Sequence, residues 1–95
     1  MDNDNQLENI VLDDSLLTPG YPAMWKGQQT MTRTIMNIIC QIPDNHGLGI
    51  FYWDATWTAV SGNGWDSTDL SSGNGWENQA LFNLNDAPLL ALLEF

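Results

Sequence analysis

Residues 48–53, Leu48-Gly49-Ile50-Phe51-Tyr52-Trp53, run without a polar break and end in Asp54-Ala55-Thr56-Trp57. Strict alternation would give a strand with one wet face. Unbroken apolarity predicts a strand covered on both faces, the habit of strands in parallel sheets. Gly49, Phe51 and Trp53 share one face of such a strand, and Leu48, Ile50 and Tyr52 the other. Tryptophans are then delivered into a polar loop at the strand's C-terminal end. In a β/α barrel that end carries the functional site.

What precedes the strand suits this reading. Met31, Ile35, Ile38, Ile39 and Ile42 fall at i, i+4, i+7, i+8 and i+11, which predicts an amphipathic helix over 24–42. Thr32, Arg33, Asn37 and Gln41 lie off that stripe. Pro43 stops the helix, and Asp44-Asn45-His46-Gly47 reads as a turn. Helix, short turn and doubly covered strand make an αβ half-unit that needs neighbours on both sides. With two bare edges, such a strand alone would leave the chain poorly folded or self-associated. His46 has no nucleophile or second ligand in register and reads as a turn residue. Cys40, the single cysteine, reads as a small buried hydrophobe and excludes an internal disulfide framework.

Residues 1–23 are rich in Asp and Asn, and Thr18-Pro19-Gly20-Tyr21-Pro22 is dense in turn formers. Asp2, Asp4, Gln6 and Glu8 alternate as oxygen donors, which suggests a calcium loop. The helix-flanked loop fails, because its sixth position would be Leu7 and its twelfth Asp13. A solvated polar tail is the plainer reading. Residues 54–76 form a long loop in which Ser61-Gly62-Asn63-Gly64-Trp65 recurs as Ser72-Gly73-Asn74-Gly75-Trp76. Two copies are too few for a solenoid, and shared turn chemistry accounts for them. At the C-terminus, Asp86 is placed to cap a helix with Pro88 in its first turn. Leu89, Leu90, Leu92, Leu93 and Phe95 make that helix apolar almost all round, so it must dock on something larger.

The net charge is −10, with Lys26 and Arg33 the only basic side chains. Nucleic acid and anionic membranes call for basic patches, so neither partner is expected. No apolar run approaches the roughly 18 residues of a membrane span. Met1-Asp2-Asn3-Asp4-Asn5 lacks the basic start of a signal peptide.

Three motifs carry a resemblance. Gly47-Leu48-Gly49-Ile50-Phe51-Tyr52-Trp53 followed by Trp57 is one. Gly73-Asn74-Gly75-Trp76-Glu77-Asn78-Gln79-Ala80-Leu81-Phe82 is the second. The third is Ser15-Leu16-Leu17-Thr18-Pro19-Gly20-Tyr21-Pro22-Ala23 with Gly27-Gln28. Together, and in this order, they resemble the C-terminal part of glycoside hydrolase family 53, the arabinogalactan endo-β-1,4-galactanases. The resemblance implies an α/β fold, the C-terminal portion of a (β/α)8 TIM barrel. Residues 1–23 would be loop 7, 24–42 helix 7, 47–53 strand 8, 54–76 loop 8 and 77–95 the terminal helical layer. That is about a quarter to a third of a usual barrel.

The family's retaining chemistry uses two glutamates, at the ends of strands four and seven, with carboxyls about 5–5.5 Å apart. On this placement both positions precede Met1, so no catalytic residue is carried over and the 95 residues alone should be inactive. Asp54 and Glu77 match non-catalytic positions. What carries over is binding. Trp53 matches the strand-eight tryptophan that floors the sugar site, where an indole face stacks on a galactose ring. Trp57 and Trp76 are candidates for flanking subsites, as is Trp65. Some members hold calcium between loops seven and eight. Asp2, Asp4, Asn74 and Glu77, with Gln6 and Glu8, could supply oxygens, although four of the six differ in type from the family's ligands. No cofactor is required. The implied partners are β-1,4-galactan and the remaining barrel strands, and the parent enzyme would be secreted.

Two departures stand out. Where the family commonly has Thr-Pro-Glu before Gly-Gln, this chain has Met24-Trp25-Lys26, which removes the cap, the proline and the acid that favour a helix start. Where it commonly has Glu-Pro-Ala-Trp after strand eight, this chain has Asp54-Ala55-Thr56-Trp57. A barrel glycosidase acting on another β-glycan is an alternative reading. So are a carbohydrate-binding module that stacks sugars on Trp53, Trp57, Trp65 and Trp76, and a calcium-binding structural piece.

Overall fold

The computed structural model describes residues 11, 14–57, 68, 79–83 and 85–95. Its longest element is α1, Trp25–Cys40, flanked by short 3-10 turns at Asp14–Leu16 and Pro43–Asn45, with a C-terminal 3-10 helix at Leu90–Glu94. The helix starts without help. Met24 is extended, no side chain caps the first turn, and no acid lies in it. Three threonines inside the helix turn their hydroxyls back on the preceding turn: Thr30 to the Lys26 carbonyl, Thr32 to Gln28 and Thr34 to Thr30, at 2.8–3.0 Å. That bond satisfies a hydroxyl which otherwise competes with the helix. Pro43 ends α1 as expected, holding Ile42 extended. Asp44 and Asn45 then take the left-handed region, which their short polar side chains tolerate. His46 is exposed in that turn.

Two glycines allow close packing on α1. A Cβ on Gly27 would lie 1.9 Å from the Pro22 carbonyl oxygen, and one on Gly47 would lie 1.9 Å from that of Ile39. The chain therefore enters α1 and leaves it in backbone contact with the helix.

The burial of α1 corrects the reading of its apolar stripe. Its buried residues are Gly27, Gln28, Gln29 and Thr32. Ile38 is 61% exposed, and Ile35 and Ile42 are also exposed. The polar face is inside because this chain supplies its hydrogen-bond partners. Gln29 Nε2 donates to Glu94 Oε1 at 2.7 Å, and Arg33 holds both Glu94 oxygens at 2.7 and 2.8 Å. These bonds seat the C-terminal 3-10 helix against α1, where Leu89 and Ala91 join Ala80 and Leu81 in a small core. Cys40 is exposed at the end of α1 rather than buried.

The C-terminal segment docks, but not as a helix capped by Asp86. Asn83 organises the turn instead: its Oδ1 accepts the backbone N–H of Asn85 and of Ala87. Asp86 sits in a left-handed turn position, and Pro88 bridges Phe82 in antiparallel fashion. The 3-10 helix begins later, from an extended and uncapped Leu89.

Residues 47–53 show no ladder, and no strand occurs among the described residues. A strand draws its backbone hydrogen bonds from its neighbours. Only one face is partly covered: Ile50 and Tyr52 are partly buried, while Phe51 is 87% and Trp53 73% exposed. Leu48 is 95% exposed, so the double coverage expected from unbroken apolarity is absent here.

Candidate functional site

The segment 50–53 and α1 form the walls of an open groove of about 510 Å³. Met31 and Ile35, from the apolar stripe, face it across from Ile50, Phe51 and Trp53. At its rim, Phe51 and Trp53 lie with ring centroids 6.4 Å apart and planes at 49°. Offset and tilted aromatic pairs of this kind attract each other. The chain turns directly after Trp53. Asp54 adopts φ 60°, and its carbonyl accepts the Trp57 N–H at 3.2 Å.

Trp53 is thus exposed at the end of the predicted strand, and Trp57 is partly buried beyond the turn. Their backbones are close along the chain, and both belong to one turn-bounded unit. Trp76 and Trp65 lie outside the described residues, as do Asp2, Asp4, Gln6, Glu8, Asn74 and Glu77. Among the described residues no group of three or more His, Cys, Asp or Glu could hold a metal ion. No helix among them is long and apolar enough to cross a membrane. Partial loss of water raises the Asp54 carboxyl above its ordinary value. Burial also raises the Tyr52 phenol, against the opposing effect of its hydrogen bond from Gln28.

Gln28, one residue of the Gly27-Gln28 motif, is the polar hub beneath this site. Its Nε2 donates to Ala80 O at 2.9 Å and to Tyr52 OH and Gln79 O at 3.1 Å. Gln28 of the Gly27-Gln28 motif therefore meets Gln79 and Ala80 of the second motif in space. The signal available in the sequence was their joint presence; periodicity places Gln28 merely on the polar side of a helix. The arrangement offers exposed aromatic faces at Phe51 and Trp53 next to Asp54, while the Tyr52 hydroxyl is held by Gln28 and Gln79.

The model of the family described as Glycosyl hydrolase family 53 matches residues 1–95. A Niallia circulans protein, described as an uncharacterized protein in the bgaB 5' region, is 36% identical over 50 residues. That stretch is 53% of this chain and 14% of the relative, so the chain spans only a small part of that protein's length. No solved structure matches. The chain belongs to glycosyl hydrolase family 53, whose fold is the (β/α)8 barrel.

Proposed function

We propose that these residues form the C-terminal part of a retaining endo-β-1,4-galactanase barrel that cleaves pectic galactan. In this reading α1 is helix 7, residues 47–53 are strand 8, and the C-terminal 3-10 helix belongs to the terminal layer. The observation that carries it is the family match over the whole chain. The open groove supports it. Its apolar walls, Met31 and Ile35 against Ile50 and Phe51, are surfaces that a barrel would cover with neighbouring strands. Trp53 emerges where strand 8 meets loop 8 and stacks on galactose beside the scissile bond, with Trp57 and Trp76 serving flanking subsites. Asp2, Asp4, Asn74 and Glu77 are the candidate ligands of a structural calcium between the two loops. The parent enzyme acts outside the cell. A carbohydrate-binding module would be built from short strands, whereas the longest described element here is a 16-residue helix.

The test is hydrolysis of β-1,4-galactan, read as reducing ends. The 95-residue chain should release nothing above buffer. Fused to the N-terminal remainder of a family 53 galactanase, it should restore turnover. Turnover by the pure chain, or a folded but inert fusion, would refute the proposal.

A further inference from the structure

A buried amide is costly unless its donors are used. Gln28 is 8% exposed, and its Nε2 carries two hydrogens. Three oxygens surround that nitrogen: Ala80 O at 2.9 Å, and Tyr52 OH and Gln79 O at 3.1 Å. Tyr52 passes its own hydrogen to Gln79 O at 2.8 Å. The phenol thus accepts from the helix and donates to the 79–81 segment. That same segment reaches past Trp53: Leu81 N–H donates to Ala55 O at 2.8 Å. Trp53 is therefore bracketed, with Tyr52 tied on one side and Ala55 on the other, both to 79–81. Its own ring stays 73% exposed. An apolar residue would fill the same space but would leave the Ala80 and Gln79 carbonyls without this donor. What an amide adds is two directed donors, shared among two carbonyls and a hydroxyl.

We infer that Gln28 is a positioning residue, which sets the orientation of the Trp53 ring through Tyr52 and the Gln79–Leu81 segment. This rests on the reading of Trp53 as a sugar contact. In that role a small misplacement of the ring displaces the reacting atoms.

Two measurements test it. In the fused enzyme, Gln28→Met and Tyr52→Phe should each lower kcat/KM on galactan by on the order of ten- to a hundredfold, chiefly in kcat. In a Trp53→Ala background the same changes should cost less than about twofold, because the residue they act through is gone. Tyr52→Phe removes one oxygen and keeps the ring that meets Phe95 edge-on at 6.0 Å, so it serves if Gln28→Met does not fold. Separately, the fused enzyme is labelled with 5-fluorotryptophan, and the Trp53 fluorine resonance is assigned by its loss in Trp53→Phe. That resonance should shift and sharpen in both variants. Equal losses with and without Trp53, or an unmoved resonance, would overturn the inference and leave Gln28 a stabilising residue only. If Trp53→Ala keeps parental activity, the sugar reading falls instead. The fluorine resonance then decides the positioning role alone: a shift supports it and a fixed line rejects it.

Discussion

The two sides of α1 are finished to different degrees. Toward the C-terminus the helix is closed. Gln29 and Arg33 grip Glu94, and Leu89 and Ala91 are buried beneath that contact. Toward residues 48–53 it is open, with Ile35, Phe51 and Trp53 exposed around a groove. The closed side is polar in its bonds and the open side is apolar in its walls. An apolar stripe records what a face can bury, but the partner need not be present in the same 95 residues. We take the groove walls at Met31, Ile35 and Ile50 as the seat of the neighbouring barrel elements, with the Trp53 ring left at the rim for the sugar. Substitutions on the closed side should then behave alike in the chain and in the restored enzyme, whereas those on the open side should depend on context.

The largest closed-side effect should come from Leu89→Ala. Leu89 is almost fully buried, and its backbone N–H donates to Leu81 O at 2.8 Å. Truncating a buried leucine costs about 2–5 kcal/mol. The loss should show as a lower thermal midpoint in the fused enzyme and as faster amide exchange at Leu81 and Leu89 in the chain.

A smaller effect should follow pH. The Arg33 guanidinium, through its hydrogen bonds, holds the Glu94 carboxyl below its ordinary value of 4.5, and Gln29 adds to this. A lowered folded value means the contact contributes fully above the unfolded value and is lost as pH falls through the folded one. Arg33 stays charged throughout, since Glu94 raises its value further. In acid titrations followed by the helical circular dichroism signal, Glu94→Gln should lack one component present in the parent. Identical curves would remove the ion pair from the account. The smallest effect should be at Cys40: with its side chain exposed, Cys40→Ser should change stability by less than about 0.5 kcal/mol. The native thiol should alkylate as fast as the denatured one.

Much of the helix was legible. Period and Pro43 predict 24–42, and α1 runs Trp25–Cys40. Its buried face was not, because the burial of Gln28, Gln29 and Thr32 is set by oxygens on residues 24 to 65 positions away or one turn back. Cys40 was misplaced for a related reason, since apolar company in sequence does not place a side chain at the packed end of a helix. Asp86 looked like a cap, yet Asn83 takes the local backbone donors first and moves the helix start to Leu90. At the site, the break after Trp53 could be read from the polar residues that follow it, whereas the strand expected before it is not formed. The tie beneath Trp53 could not be read, because it joins motifs 24 and 51 residues apart.

The most direct measurement of the open-side claim is Ile35→Asp in both contexts. Ile35 lines the groove and is exposed in this structure. In the 95-residue chain a carboxylate there remains hydrated, so the helical signal should be unchanged. In the fused enzyme the same carboxylate would be buried without a partner, a costly state. The fused variant should lose both its thermal midpoint and its galactan turnover. A fused Ile35→Asp enzyme that keeps both would contradict the claim that this groove is where the rest of the barrel sits.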